Sequence, residues 1–366
     1  SFSIIQTTVL RKRLDFRRMF FRSVLATPIS GVVGIVMAYR GYGVWSLAAQ
    51  QLVGAVLSTA CFWIASDWRP RLVFRVQSFK TLVGFGSRQL AAGLLDTFFQ
   101  NVYHIVIGKL FATAALGYYS RAVNLQKLAT SNLSTIVSRV AFPLFCTVHH
   151  DVERLRQAAS RTLAMLAMFV LPIMAGLMVV ATPLISVMLT DKWLPCVPYF
   201  RPLCLIGMLY PLHVVNVSVL RARGEMDVFL KLEFLKKSLI IAAILVTYRW
   251  GIMAMIWGQI LQSVINYHLN AHYGGKSIGY SWQKQVRDVL PYAGGAFVMA
   301  AAATIVGFAA REISFTRLIL QAAVGASTYI GYCHCLRLRE FQDVQKWLSH
   351  CFVMLRTRIG CAGTSA

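Results

Sequence analysis

Apolar positions in this 366-residue chain come in long unbroken runs, not in the period-two alternation of a half-buried strand. A helix that crosses the hydrocarbon layer of a bilayer needs about twenty such residues in a row. Ten segments of this kind are expected, at residues 23–39, 44–65, 81–104, 114–145, 162–182, 200–220, 230–248, 252–273, 291–310 and 316–336. The opening stretch SFSIIQTTVL reads as the end of one more. The fourth segment is too long and too polar for a simple crossing, so it must tilt strongly or project beyond the bilayer. The fold class that follows is an all-α integral membrane protein.

Composition agrees. Hydrophobic residues make up 57% of the chain and charged ones only 14%, against about 25% charged in a soluble domain. The 37 Lys and Arg against 13 Asp and Glu leave a net charge of +24. On a soluble chain that balance would suggest nucleic acid. Here the cations punctuate apolar segments and form no continuous basic stripe, so nucleic acid is not an expected partner. Anionic membrane lipids and an anionic substrate are.

The basic residues also test the map, because Lys and Arg are retained on the cytoplasmic side. Odd-numbered connections (11–22, 67–80, 149–161, 221–237, 274–290 and the tail after 336) hold 26 of them. Even-numbered ones hold seven: Arg40, Lys109, Lys192, Arg201, Arg249, Arg311 and Arg317. The first basic loop and the carboxyl terminus are therefore expected in the cytoplasm. Trp45, Trp63, Trp68, Trp193 and Trp250 lie at segment ends, where amphipathic rings prefer the headgroup layer. Beyond the last segment, Leu338, Phe341, Val344, Leu348, Phe352 and Leu355 recur at helical spacing among cations, the pattern of an amphipathic helix on the inner leaflet.

Ionisable groups inside a span mark pathways. The third segment carries Arg88, Asp96, Gln100 and Asn101, with Lys109 just beyond. The fourth carries Arg121, Asn124, Gln126, Lys127, Asn132 and Arg139. Arg121, Asn124 and Lys127 recur every three residues, approximately one helical face. Such a face suits a water-filled cavity, and a guanidinium offers a planar fork of donors to phosphate oxygens. Arg88 and Arg139 could instead snorkel to an interface, and Asp96 could pair with a cation on another span. Lys231, Lys236 and Lys237 read as contacts to cytoplasmic headgroups.

Enzyme chemistry is poorly represented. The chain has no GxxxxGK[ST], HExxH or GxSxG motif, and its eight histidines assemble no metal-ligand spacing. The His268–His272 pair reads as solvated interfacial imidazoles. The eight cysteines (61, 146, 196, 204, 333, 335, 351, 361) read as small buried hydrophobes. No catalytic residue, metal or cofactor is expected. Pro28, Pro143, Pro172, Pro183, Pro202 and Pro211 interrupt spans, as in transporters with bent helices.

Seven pieces in order carry a family resemblance: LRKRLDFRRM, GYGVWSLAAQQLVGAVLSTACFWIASDWRPRL, IGKLFATAALGYYSRAVNLQKL, RVAFPLF, HHDVERLRQA, MLTDKWLPCVPYFRPLCLIGML and VLRARGEMDVFLKL. Together they resemble the lipopolysaccharide and colanic-acid exporters, the Wzx-like polysaccharide transporter family of lipid-linked oligosaccharide flippases within the multidrug/oligosaccharidyl-lipid/polysaccharide (MOP) superfamily. The resemblance implies a MOP/MATE-like two-lobe fold of fourteen helices, of which this chain holds about ten and lacks the first few. It divides the chain into the remainder of an amino-terminal lobe (1–80), a carboxyl-terminal six-helix lobe (81–273), two additional spans (274–336) and a basic amphipathic cytoplasmic tail (337–366).

The implied function is translocation of polyprenyl-pyrophosphate-linked oligosaccharides across the bacterial inner membrane by alternating access, for exopolysaccharide, capsule or lipopolysaccharide synthesis. Polysaccharide polymerase and co-polymerase proteins are the implied protein partners. Arg121 in YSRA and Lys109 in IGKL match family positions, whereas Arg88 stands where relatives often carry an apolar or small residue. The candidate substrate-binding residues are therefore Arg121, Lys109, Asn124, Lys127, Asp96 and Arg88. The alternative is a cation-coupled small-molecule or drug exporter of the same superfamily, which would need acidic cavity residues.

Overall fold

Each of the ten apolar segments overlaps a helix in the structure, a computed structural model that describes residues 16–65, 76–309 and 315–346. Four stretches of the described residues are long and apolar enough to cross a membrane: Val152–Val179, Asp191–Ala222, Met226–Lys276 and Trp282–Phe308. The third runs through two helices. The chain is a multi-pass membrane protein.

Contacts divide it into two units, residues 1–90 and 91–366. In the first, α1 (Phe16–Tyr39) and α2 (Trp45–Ala65) form an antiparallel pair. Their short connection needs left-handed backbone at Gly41 (φ 83°) and Gly43 (φ 52°), which glycine adopts without a Cβ clash. Small residues let the helices approach. A Cβ on Gly34 would fall 2.9 Å from Gln50 Oε1, and one on Gly54 would touch Ser30. Water is absent from hydrocarbon, so this close packing takes the place of a hydrophobic driving force.

The helix α3 (Val76–Leu110) passes from the first unit into the second. There follow α4 (Thr113–Ile136), a π-helical turn (Val137–Ala141) and α5 (Phe142–Val148). Next come α6 (Val152–Val179), α7 (Ala181–Leu189), a 3₁₀ turn (Asp191–Cys196) and α8 (Val197–Ala222). Then α9 (Met226–Thr247), α10 (Gly251–Lys276), α11 (Trp282–Ala309), α12 (Phe315–Cys335) and a short α13 (339–346) complete the chain. The expected fourth segment is thus α4 and α5, separated by the π turn. Pro143 in the first turn of α5 has no N–H and cannot close a regular α-helical ladder through this point.

Two apolar clusters organise the second unit, and α6 contributes to both. One gathers Phe145, Leu155, Leu163, Ala167, Leu212 and Tyr292; the other gathers Ile107, Tyr119, Met174, Ile185, Phe200 and Met255. Glycines set the helix spacing. A Cβ on Gly207 of α8 would stand 2.6 Å from Gln126 Nε2 and 2.7 Å from Met174 Sδ. Amides join the helices across the core. Buried Asn216 of α8 and Gln285 of α11 exchange two hydrogen bonds, each 2.9 Å. Near the start of α11, Ser160 and Tyr280 both donate to Asp288, and burial raises the Tyr280 pKa.

Several expectations are corrected. The connection expected at 149–161 is mostly helix, because the Asp151 carboxylate accepts from the N–H groups of Glu153 and Arg154 (3.1 and 3.0 Å) and caps α6. The 274–290 connection is likewise helical from Trp282. Trp45 and Trp250 are 74% and 72% exposed, as interfacial rings would be, but Trp193 packs edge-on against Tyr118. Trp68 lies outside the described residues. Leu338, Phe341 and Val344 pack on the first apolar cluster, and Tyr292 donates to Glu340. The described part of the tail therefore docks on protein; Leu348, Phe352 and Leu355 lie outside the described residues. Cys196, Cys204 and Cys333 are buried, whereas Cys146 and Cys335 are exposed.

Candidate functional site

One face of α4 is polar for most of its length. Tyr119, Val123, Gln126, Lys127, Thr130, Ser131, Ser134 and Thr135 recur at alternating three- and four-residue intervals, which keeps them on one side of a helix. Hydroxyls on this face bond back to the carbonyl one turn earlier: Thr130 to Gln126 (3.2 Å), Ser134 to Thr130 (3.0 Å) and Thr135 to Ser131 (2.8 Å). Such bonds satisfy the hydroxyls in a non-aqueous setting and loosen the helix. The π turn follows directly and carries Arg139.

This face lines a cavity of about 630 Å³ within the second unit. Gln100, Tyr103 and His104 of α3 line it, with Leu203, Ile206 and Tyr210 of α8 and Gln259 of α10. Its polar groups are anchored behind the surface. Gln259 Nε2 donates to the Tyr119 hydroxyl at 3.1 Å, and the Tyr103 hydroxyl donates to Gln262 at 3.4 Å. His104 meets Tyr119 edge-on, as Tyr210 meets His213. The lining thus combines hydroxyls, amides and aromatic rings with two basic side chains, Lys127 and Arg139. Among the described residues it contains no Asp or Glu.

The structure separates most of the residues expected to share a site. Lys127 lines the cavity; Arg121 and Asn124 do not. Three-residue steps drift by about 60° each at 100° per residue, so Arg121 stands about 120° around α4 from Lys127. Its guanidinium lies over the Trp193 ring, 5.2 Å from the centroid, and its Nε is buried without a hydrogen-bond partner. Lys109 is exposed in the last turn of α3 and is not part of the lining. Asp96 is bonded to Lys237 of α9 at 2.5 Å. The expected headgroup role of two lysines is corrected with it: Lys237 pairs with Asp96, and Lys236 with Glu233. The Arg88 side chain lies outside the described residues.

Of the neutral lining residues, Gln100 and Gln126 were noted from sequence as polar groups within spans, whereas Tyr103, Tyr119, Thr130, Ser131 and Gln259 were not singled out. Arg139 was noted there as an ionisable group within a span that could instead snorkel to an interface. The signal lay in the 4/3 recurrence of hydroxyl and amide groups, which is obscured when charge alone is followed.

The chain resembles solved and sequenced transport proteins. It aligns with the lipid II flippase MurJ in an inward closed conformation at a TM-score of 0.70 and 14% identity, covering 90% of this chain and 70% of that one. That likeness establishes the fold. In sequence it is 29% identical over 226 residues to the teichuronic acid biosynthesis protein TuaB of Bacillus subtilis, covering 60% of this chain and 46% of the relative. It is 24% identical over 265 residues to the lipopolysaccharide biosynthesis protein WzxC of Escherichia coli (70% and 53%). To the succinoglycan biosynthesis transport protein ExoT of Rhizobium meliloti it is 25% identical over 294 residues (80% and 57%). The chain spans about half the length of these relatives. Residues 1–198 match the polysaccharide biosynthesis protein family model, more than half of the chain, and the chain belongs to that family.

Proposed function

We propose that the protein translocates polyprenyl-pyrophosphate-linked oligosaccharides across the bacterial inner membrane by alternating access, for polysaccharide biosynthesis. The observation that carries this reading is the cavity: a hole of about 630 Å³ faced with hydroxyls, amides, tyrosines and two cations. A glycan head cannot be solvated by lipid tails, and each of its hydroxyls needs a partner during crossing. Anchored tyrosines and glutamines offer those partners and ring faces for sugars. Lys127 and Arg139 offer the charge that a diphosphate requires. The family and the flippase fold support the same reading.

In this reading residues 81–273 form the lobe that holds the head, 274–336 are two additional spans, and 1–80 are the remainder of the amino-terminal lobe. The excess of cations on odd-numbered connections supports a cytoplasmic carboxyl terminus. Arg139 then lies toward the cytoplasmic end of the cavity and Tyr119 deeper. Anionic lipids neighbour the basic connections, and the product serves polymerase and co-polymerase proteins on the far side. A drug exporter is disfavoured, because a cavity for cations calls for carboxylates and the lining has none among the described residues.

The test is a flipping assay in vesicles with a fluorescent lipid-linked oligosaccharide. The protein should move the head group to the far leaflet, and Lys127→Ala should slow it by about tenfold or more, the worth of one charge-assisted contact. A protein that moves organic cations and leaves the lipid-linked sugar in place would contradict the reading.

A further inference from the structure

We propose that α8 and α10 hold a bound water molecule in a polar seam behind the cavity wall, and that this water bridges His213, Asn266 and Asn270. The inference stands on contacts that the flippase reading does not use.

The seam follows from the residue pattern of α10. Gln259, Gln262, Asn266 and Asn270 recur at steps of three, four and four residues, which confines them to an arc of about 80° on the helix. Met253, Trp257, Leu261 and Val264 lie on the opposite side and are exposed. The helix therefore turns its polar stripe toward the protein and its apolar side outward, as lipid surroundings require.

The first half of the stripe is satisfied by tyrosines. Gln259 pairs with the Tyr119 hydroxyl and Gln262 with that of Tyr103. The second half is not. Asn270, fully buried, gives its Nδ2 to His213 Nδ1 of α8 at 3.4 Å. Its Oδ1 has no hydrogen-bond partner among the described residues, nor has Asn266 Oδ1 one turn earlier, nor His213 Nε2.

Counting donors and acceptors identifies the ligand. A ring nitrogen that accepts from Asn270 carries no proton, so the proton of the neutral imidazole sits on Nε2. One donor and two acceptors are then left over. Water supplies the complement, accepting from Nε2–H and donating to both amide oxygens; three bonds are usual for a buried water. Bare buried groups are costly, and His213 and Asn266 are only half-buried, so the seam is not packed shut.

A metal ion suits the site less well. Nε2–H turns a proton toward it, and the Lys236 ammonium, paired with Glu233, lies within electrostatic reach of His213. The bridged imidazole in turn supports Tyr210, whose ring meets it edge-on at 5.3 Å and lines the cavity.

The experiment combines radiolytic labelling with thermal unfolding of the full chain in nanodiscs. A brief X-ray pulse makes hydroxyl radicals from bound water in place, so His213 should be oxidised in the unaltered protein. Asn266→Leu and Asn270→Leu should each reduce that labelling several-fold. Asn266→Leu should also lower the unfolding temperature by a few degrees, because a bridged oxygen is lost; replacing a bare oxygen by leucine would raise it instead. Exchanging sodium for choline should leave the unfolding temperature unchanged. Absence of His213 labelling in the unaltered protein, or a higher unfolding temperature in Asn266→Leu, would show a dry seam and overturn the proposal. Stabilisation by sodium would assign the seam to a cation and overturn it as well. Should Asn266→Leu fail to fold, the labelling of His213 in the unaltered protein decides alone.

Discussion

Arg121 and Lys127 share α4 but serve different surroundings: the guanidinium of one lies over Trp193, while the ammonium of the other opens into the cavity. A cation over an indole contributes about 0.5–2 kcal/mol, more as water is withdrawn. The consequence separates the two residues experimentally. Arg121→Ala should lower the thermal unfolding temperature in detergent while leaving ligand affinity near its original value. Lys127→Ala should do the reverse. Loss of affinity in Arg121→Ala at unchanged stability would return Arg121 to the binding site.

The contrast also explains what could be read from residues alone. Helix positions were legible because bilayer thickness sets the length of an apolar run, and no other part of the fold competes with that constraint. The depth at which a helix breaks was less so, although Pro143 marks the π turn once α4 and α5 are seen on either side of it. Site residues were the least legible. Arg121, Asn124 and Lys127 looked aligned because three-residue spacing approximates a helical face over one step and loses it over two. The partner of Asp96 lies 141 residues away, and no local pattern points to Lys237. Tyr119 and Gln259 are bound across 140 residues, so the cavity wall exists only after folding.

The Asp96–Lys237 pair ties α3 to α9, with the lysine side chain 19% exposed and the aspartate 59%. Lys237 also lies 5.5 Å from the Phe99 ring centroid. Removing Asp96 leaves the mostly buried Lys237 ammonium without its counter-ion, whereas the exposed aspartate left by Lys237→Gln keeps other ways to be compensated. Asp96→Asn should lower stability by roughly 1–3 kcal/mol, Lys237→Gln by less, and the double variant should fall well short of their sum. Strict additivity in a detergent unfolding cycle would mean the contact is energetically silent.

Gly207 sits where α8 meets α4 and α6, and a methyl group there would fall 2.6 Å from the Gln126 amide and 2.7 Å from the Met174 sulfur. Methionine can turn aside, but Gln126 is held near Thr130 by a 3.3 Å hydrogen bond and lines the cavity. Gly207→Ala should therefore disturb both fold and site. The expected loss is about 1–3 kcal/mol, the usual effect of overpacking, together with weaker ligand binding. An unchanged unfolding curve would show that the helices close with room to spare.

Asn216 and Gln285 test whether buried amides specify the α8–α11 contact. Each amide gives and takes one 2.9 Å bond, and Gln285 also reaches the Tyr280 carbonyl at 3.2 Å. Leucine at either position strands its partner's donor and acceptor, a penalty of about 1–3 kcal/mol per buried group. Leucine at both removes the stranded groups between the helices and leaves the Tyr280 and Ala271 carbonyls without this donor. The double variant should be more stable than either single one. If stability falls further instead, shape and not hydrogen bonding holds this interface.

The π turn makes a distinct prediction, because it sets the phase of Arg139. Each residue turns an α-helix by about 100°, so the wider π turn rotates everything beyond it relative to the face that carries Lys127. Pro143 has no N–H to offer the ladder, which favours the wider turn at Val137–Ala141. Pro143→Ala restores the donor and allows a regular helix, which would carry Arg139 away from the lining. The variant should fold at least as stably as the parent, since a helix-favouring residue replaces a breaker. Its affinity for a prenyl diphosphate should nevertheless drop toward that of Arg139→Gln. Full affinity in Pro143→Ala would mean that Arg139 reaches the cavity without the turn.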